Sequence, residues 1–194
     1  MSFAIRLARI RESMKIADVG ELSRRYFVIN MFDGILTIIG ILIASFFANV
    51  TNLRVVIAAC FGAAIAMTVS GVWGAYLTEM AERQGKIKIL EKKLSIHLKK
   101  SPIGRAHKLA SLFLGVIDGV LPLIATPIMI LPMFLSLPVN LAYYYSLAIS
   151  FALLFLIGAY LGKISRENML KGGFQMLIVG VICIIIIYFV EKLF

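Results

Sequence analysis

Five long apolar runs dominate this sequence and restrict its fold to a membrane-embedded bundle. A helix that crosses the hydrocarbon core of a bilayer needs about 20 apolar residues. Five segments qualify, namely Phe27–Val50, Val55–Thr78, Leu109–Leu135, Leu141–Leu161 and Phe174–Val190. Because the runs are long and continuous, they differ from the short alternating strands of a membrane barrel. We therefore predict an all-α integral membrane protein with five transmembrane helices.

Composition excludes an ordinary soluble domain. The 194 residues are 61% hydrophobic and only 15% charged, whereas about a quarter of the residues in a soluble domain are charged. The net charge of +10 would indicate nucleic acid as a partner of a soluble protein, but in a membrane protein it first indicates topology. We expect no nucleic-acid partner. The sequence has no Walker motif, metal-binding Cys/His cluster or nucleophile elbow, so we do not expect an enzyme.

The distribution of lysine and arginine predicts the orientation. Six basic residues precede the first run, nine lie between Arg83 and Lys108, and three lie between Lys163 and Lys171. Only Arg54 and Lys192 lie on the opposite side. Because basic loops remain in the cytoplasm, we predict a cytoplasmic N-terminus and a C-terminus outside. No targeting extension is recognised, so we expect a prokaryotic plasma membrane, or an organelle membrane in a eukaryote.

Two basic segments are predicted on the cytoplasmic side of the bundle. Residues 1–26 form an N-terminal segment in which Met1–Glu21 has apolar residues at helical spacing. We expect this part to lie on the membrane surface against anionic lipid, with a solvated helix as the alternative. The five-helix domain spans residues 27–194 and contains a basic loop at 79–108, with one or two short amphipathic helices.

Short matching segments indicate an internal duplication. Phe32–Leu36 (Phe-Asp-Gly-Ile-Leu) recurs as Ile117–Leu121 (Ile-Asp-Gly-Val-Leu), and Gly74–Leu77 recurs as Gly158–Leu161. The register holds across two helices, so we predict a parallel duplication of helices 1–2 as helices 3–4, followed by a fifth helix. Such repeats are common in secondary transporters, although a duplicated bundle need not transport anything.

Asp33 and Asp118 occupy equivalent positions in this duplication. An ionisable residue inside a membrane span is costly and is therefore a functional hypothesis. Asp33 lies about 12 Å along its helix from Arg25, and Asp118 about 15 Å from Lys108, at 1.5 Å per residue. The two carboxylates could converge on one cation and exchange a proton for a metal ion. Alternatively, each aspartate caps a helix break or bonds to a neighbouring helix.

Prolines and small residues mark further features of the runs. The third run contains Pro122, Pro127 and Pro132, each of which lacks a backbone donor, so we expect an interrupted helix. Oxygen ligands near these breaks could come from Asn30, Thr37 and Thr126.

Pairs of small residues four apart favour close helix contacts, either within the chain or in a dimer. These pairs are Gly115-xxx-Gly119, Gly158-xxx-Gly162 and Ser70-xxx-Gly74.

The end of the second run carries two glutamates, Glu79 and Glu82. They could form an entrance site for cations, or they could be surface glutamates that pair with Arg83 and Lys86. Within the same run, Met67 offers a thioether sulfur, which suits softer metals. Packing is the alternative role for this side chain.

Three segments of the sequence resemble motifs of the vacuolar iron transporter family. They are Asp33–Thr37 (Asp-Gly-Ile-Leu-Thr), Ala63–Met67 (Ala-Ala-Ile-Ala-Met) and the glycine-containing segment Gly172–Gly180. The resemblance implies five spans, a homodimer, and export of Fe²⁺ or Mn²⁺ from the cytosol in exchange for protons. It also implies that Asp33 is the metal-binding carboxylate of the first helix and Met67 the thioether ligand of the second.

Two departures from the family pattern bear on function. The glutamate that the family has eight residues before its methionine falls on Ala59, and the glutamate-rich cytosolic domain is reduced to a short basic loop. We hypothesise that Asp118 replaces the missing carboxylate. The prediction is an exporter of Fe²⁺ or Mn²⁺, with the metal as substrate and no resident cofactor. The alternatives are a membrane scaffold or regulator that has lost transport, and a transporter of another small cation or solute.

Overall fold

The computed structural model describes residues 19–94 and 102–193, and within them the side chains of 20–89, 91–92 and 109–193. It contains five α-helices, α1 (Val19–Phe47), α2 (Leu53–Leu94), α3 (Pro102–Met129), α4 (Val139–Ile164) and α5 (Met169–Glu191), and a 3-10 helix at Leu131–Phe134. The described ranges contain no strand. Each α-helix includes a segment long and apolar enough to cross a membrane. The predicted all-α fold with five candidate spans is confirmed.

Two asparagines form the turn between α1 and α2. Asn49 has a left-handed backbone with φ of 53°, a conformation that asparagine adopts more readily than most residues. Its side-chain amide donates to the carbonyl of Phe47 over 3.1 Å. Asn52 then accepts a hydrogen bond from the amide of Arg54 over 3.2 Å, as expected of a residue that caps a helix N-terminus. The chain thus reverses between the first two spans with few residues.

Helix α2 continues well beyond the predicted second span. The sequence predicts a loop at 79–108, whereas residues 79–94 extend α2 and Pro102 begins α3. With 42 residues, α2 is about 63 Å long at 1.5 Å per residue, roughly twice the thickness of the hydrocarbon core. Glu82 and Lys86, four residues apart, form an ion pair on this extension, which adds a small stabilisation to the helix. The predicted surface segment Met1–Glu21 lies almost entirely outside the described residues.

Helix α3 corrects the prediction of an interrupted third helix. It runs through Pro122 and Pro127 and ends at Met129 rather than Leu135. The hydroxyl of Thr126, which is fully buried, donates to the carbonyl of Pro122 over 2.8 Å. This bond does not replace those that the prolines remove, because Pro122 and Pro127 each lack the amide that would donate to the carbonyl four residues earlier, at Asp118 and Leu123. A membrane helix tolerates such a loss where neighbouring helices or local adjustments satisfy the freed groups. Of the three prolines, only Pro132 coincides with a break, because it lies in the first turn of the 3-10 helix that follows α3.

The chain divides into two compact units. Unit 1 comprises, among the described residues, 19–27, 68–94 and 102–120; its core includes Ala110 and Leu114, with Leu22 and Tyr26 packed against them. Helices α2 and α3 approach closely within this unit. A Cβ atom at Gly115 would lie 2.7 Å from the carbonyl oxygen of Val72, and one at Gly119 would overlap the backbone of α2. The pair Gly115-xxx-Gly119 therefore serves packing within the chain.

Unit 2 comprises residues 28–67 and the described part of 121–194. Its helices α4 and α5 form a close hairpin, since a Cβ atom at Gly158 would collide with the carbonyl of Gly172. A Cβ atom at Gly162 would lie 3.0 Å from the carbonyl oxygen of Asn168. The pair Gly158-xxx-Gly162 thus also packs within the chain.

The remaining small-residue pair, Ser70-xxx-Gly74, lies in unit 1 and differs from the other two. Both residues are exposed, and a Cβ atom at Gly74 would have no neighbour within 4 Å. This pair therefore does not form a close helix contact of the kind seen at the other two pairs.

Candidate functional site

Asp33 lies on the surface of the single chain, within the apolar part of α1. Its side chain is exposed, whereas Ile35, Ile38 and Ile39 on the same helix are fully buried. The carbonyl of Asp33 accepts a hydrogen bond from the hydroxyl of Thr37 over 2.8 Å. A carboxylate exposed inside a candidate membrane span faces lipid unless something covers it, and that position is costly for a charge. Among the described residues, the buried core of the chain does not cover the side chain of Asp33.

Met67 belongs to the same unit as Asp33. It is half-buried on α2, and Ala59, eight residues earlier, is exposed. Two positions of α2 match the family pattern, Ala59 and Met67. Alanine has no atom that can bind a metal, so of these two only Met67, with its thioether sulfur, offers a ligand.

Asp118 lies in very different surroundings. It is 7% exposed and sits where α2 and α3 approach in unit 1. A Cβ atom at Gly71 would lie 3.4 Å from Oδ2 of Asp118. The neighbouring Gly119 packs against α2, just as Gly34 packs against Pro122 in unit 2. The two Asp-Gly pairs thus share a packing glycine, but one aspartate is buried and the other is exposed. Convergence of the two carboxylates on one ion stays a prediction.

Glu79 is buried and accepts hydrogen bonds at both carboxylate oxygens. Its Oε2 accepts from Nε of Arg83 over 3.0 Å, and its Oε1 accepts from the hydroxyl of Tyr26 over 3.0 Å. Only 4% of Glu79 and 6% of Arg83 is exposed. All three residues belong to unit 1. The structure therefore gives Glu79 a cationic partner within the chain. The alternative to an entrance site was pairing of surface glutamates, and Glu79 departs from it because it is buried.

Glu82 has a partner of the same kind in a different environment. Its Oε1 lies 2.8 Å from Nζ of Lys86, and both side chains are more than half exposed. A solvated pair of this kind contributes little to stability. Both candidate entrance glutamates are thus paired with basic residues four positions further along α2.

Sequence reasoning did not find Tyr26, which is 53 residues away from its partner Glu79. It did name Arg83 as a partner in the alternative to an entrance site. A spacing of four residues brings two such side chains together on a helix. The described residues contain no group of three or more His, Cys, Asp or Glu side chains that could hold a metal ion.

Comparison with known proteins adds information on the family. The sequence profile of the VIT family matches residues 86–192, more than half of the chain. This range covers the end of α2 and all of α3, α4 and α5, but not Asp33 or Met67. An uncharacterized protein of Methanocaldococcus jannaschii is 33% identical over 194 residues, which covers 98% of this chain and 100% of that protein. No solved structure matches the chain significantly.

The family match agrees with the helical architecture and with the resemblance seen in the sequence motifs. Five candidate spans and an aspartate within the first of them are both present. The chain belongs to the VIT family of membrane proteins.

Proposed function

We propose that this protein exports a divalent transition metal, Fe²⁺ or Mn²⁺, from the cytoplasm in exchange for protons. The observation that carries the proposal is the exposed carboxylate of Asp33 within an apolar helix of a VIT family protein. Membership of that family suggests transport of metal ions. An ionisable side chain at membrane depth is costly, so its presence there indicates a functional role.

In this mechanism Asp33 binds the ion through its carboxylate oxygens, and Met67 contributes a sulfur atom. Thioether ligands favour softer transition metals over Mg²⁺ and Ca²⁺. Asp118 is the second carboxylate, which binds the ion or takes up the returning proton. Because a carboxylate binds a metal only when it is deprotonated, protons compete with the metal and can drive its release.

A homodimer would explain the exposure of Asp33. A second copy that covers this face of α1 would remove the carboxylate from lipid and could bring its own Asp33 to the same ion. Two carboxylates would balance the charge of one divalent cation. The basic side of the bundle, proposed to be cytoplasmic, would contact anionic lipid.

The decisive experiment is uptake of Fe²⁺ and Mn²⁺ into proteoliposomes that hold the purified protein and an imposed pH gradient. We expect uptake by the wild type, loss of uptake in Asp33→Asn and Asp118→Asn, and unchanged uptake in Glu167→Gln. Glu167 is a suitable control because it is an exposed carboxylate in the turn between α4 and α5. Unchanged transport in Asp118→Asn would remove Asp118 from the mechanism while leaving Asp33 in it.

Two alternative functions remain. The first is a membrane scaffold or regulator that has lost transport, and the second is a transporter of another small cation or solute. Ala59 in place of the family's glutamate favours the first of these, as do the basic partners of Glu79 and Glu82. A folded wild-type protein that moves neither Fe²⁺ nor Mn²⁺ would support one of these alternatives. A competition panel of other cations would then distinguish a scaffold or regulator from a transporter of another ion.

A further inference from the structure

A buried guanidinium in unit 1 has no role in the proposed transport mechanism. Arg83 is 6% exposed, and its Nε lies 3.0 Å from Oε2 of Glu79. A buried arginine is stable only beside an anionic partner, because desolvation of an unpaired charge is costly. Removal of either partner leaves the other charge buried and uncompensated.

The hydrogen bonds of Glu79 show that its counter-ion comes from the chain itself. Arg83 donates to one carboxylate oxygen and the hydroxyl of Tyr26 donates to the other. A cation that approaches this carboxylate therefore meets a positive charge already in place. In this state Glu79 is closed to other cations.

The pair lies within one helix and close to solvent. Arg83 and Glu79 are one turn apart on α2, so the contact between the two charges does not depend on the packing of α2 against another helix. Solvent is nearby, because Glu82 and Lys86 on adjacent turns are more than half exposed. Glu79 lies 26 residues beyond Leu53, about 39 Å along α2 and past the thickness of the hydrocarbon core. That end of α2 is the one proposed to be cytoplasmic.

The buried charges of unit 1 favour a divalent cation as the competitor. Among the described residues of this unit, the buried charged side chains are Glu79, Asp118 and Arg83. With both carboxylates ionised, their formal sum is −1. A monovalent cation in place of the guanidinium would leave that sum unchanged, whereas a divalent cation would bring it to zero.

We propose that Arg83 is a tethered counter-cation that closes Glu79 to metal, so that a divalent cation must displace the guanidinium in order to bind there. The inference rests on the proposed function, since it describes how the metal would gain access at the cytoplasmic end of α2. In this proposal Arg83 controls the access of metal to Glu79. The proposed ligands at membrane depth are still Asp33, Met67 and Asp118.

The test is a titration of Mn²⁺ into the purified full-length protein in detergent, followed by electron paramagnetic resonance of free Mn²⁺. In Arg83→Gln we expect binding at least about tenfold tighter than in the wild type, because the competing buried charge is gone. The gain should disappear in the double variant Arg83→Gln with Glu79→Gln. A smaller gain is expected in Arg83→Lys, which keeps the charge but loses the planar fork of donors.

Lys86→Gln is the matched control. It removes a lysine from a pair with the same four-residue spacing, but that pair is exposed, so its loss should leave Mn²⁺ affinity within about twofold because exposed pairs are weak. An equal gain in Lys86→Gln would overturn the inference, as would a gain that persists without Glu79. Unchanged binding in folded Arg83→Gln would also overturn it. If that variant does not fold, unchanged binding in Arg83→Lys has the same meaning.

Transport assays keep this inference separate from the proposed function. A wild type that transports Mn²⁺ through Asp33, together with an Arg83→Gln variant that gains no affinity, would contradict only the role of Arg83. A wild type that moves no metal, together with a Glu79-dependent gain of binding in Arg83→Gln, would contradict only the transport mechanism.

Discussion

Arg83 donates a hydrogen bond from Nε to Oε2 of Glu79 over 3.0 Å, and both side chains are more than nine-tenths buried. The next pair along the same helix, Glu82 and Lys86, has equal spacing but is exposed. A single sequence pattern thus produces one buried and one solvated ion pair. The buried pair also receives the hydroxyl of Tyr26, and it therefore connects α1 to α2 within unit 1.

Loss of the Tyr26 hydroxyl should weaken this connection. We expect Tyr26→Phe to lower the free energy of unfolding by about 1.5–3 kcal/mol, the range for a hydrogen bond to a charged group. Thermal unfolding in detergent measures the effect. Tyr145→Phe, which alters an exposed tyrosine on α4, should change stability by less than about 0.5 kcal/mol. Equal effects of the two substitutions would contradict a stabilising role for the hydroxyl.

Alanine at Gly119 and alanine at Gly74 should have opposite effects. A Cβ atom at Gly119 would overlap the Thr68 carbonyl and Val72, so the helices must separate. We expect Gly119→Ala to destabilise the protein by about 1–3 kcal/mol. At Gly74 a Cβ atom meets nothing within 4 Å, and alanine is the better helix former by up to about 1 kcal/mol. Thermal unfolding of the two variants checks the difference, and a destabilised Gly74→Ala would indicate a partner on that face.

Replacement of Asp33 by leucine should separate stability from metal binding. A charge at membrane depth costs about 2.5–3.5 kcal/mol relative to water, so Asp33→Leu should unfold at a temperature no lower than the wild type. We expect Mn²⁺ to raise the unfolding temperature of the wild type, and this increase should vanish in Asp33→Leu because the proposed ligand is gone. A variant that still responds fully to Mn²⁺ would place the main site elsewhere.

Protons should compete with the metal. Both proposed ligands with a charge, Asp33 and Asp118, bind metal only as carboxylates, so Mn²⁺ affinity should fall as the pH is lowered. Mn²⁺ titrations at a series of pH values measure this dependence. An affinity that stays constant through the range in which the carboxylates titrate would contradict exchange of metal for protons.

The hydroxyl of Tyr143 should hold the turn between α1 and α2. This residue is buried and donates to the carbonyl of Val50 over 2.9 Å. Tyr143→Phe removes a neutral hydrogen bond, which contributes about 0.5–1.5 kcal/mol. We expect faster amide hydrogen exchange at residues 50–55 and little change in α5. Unaltered exchange in the turn would show that this contact does not stabilise it.

The sequence by itself determined the five helices and the residues most in need of explanation. A backbone in lipid must satisfy its hydrogen bonds within one segment, so apolar run length alone identifies a span. The sequence also offered pairing of Glu79 with Arg83 as an alternative to a cation site, and a spacing of four residues does bring two side chains together on a helix. It overestimated the effect of Pro122 and Pro127, since α3 runs through both rings and packing against neighbouring helices, such as that of Pro122 against Gly34, can offset the cost of a proline.

Tertiary structure alone decided how each helix is rotated and what covers it. Asp33 and Asp118 follow the same sequence pattern, yet one is exposed and the other buried. The three small-residue pairs look alike in sequence, but only two form close contacts within the chain. The bond from Tyr26 to Glu79 joins residues 53 positions apart. Helix formation is local, whereas the partner that a side chain meets depends on which faces of separate helices pack together.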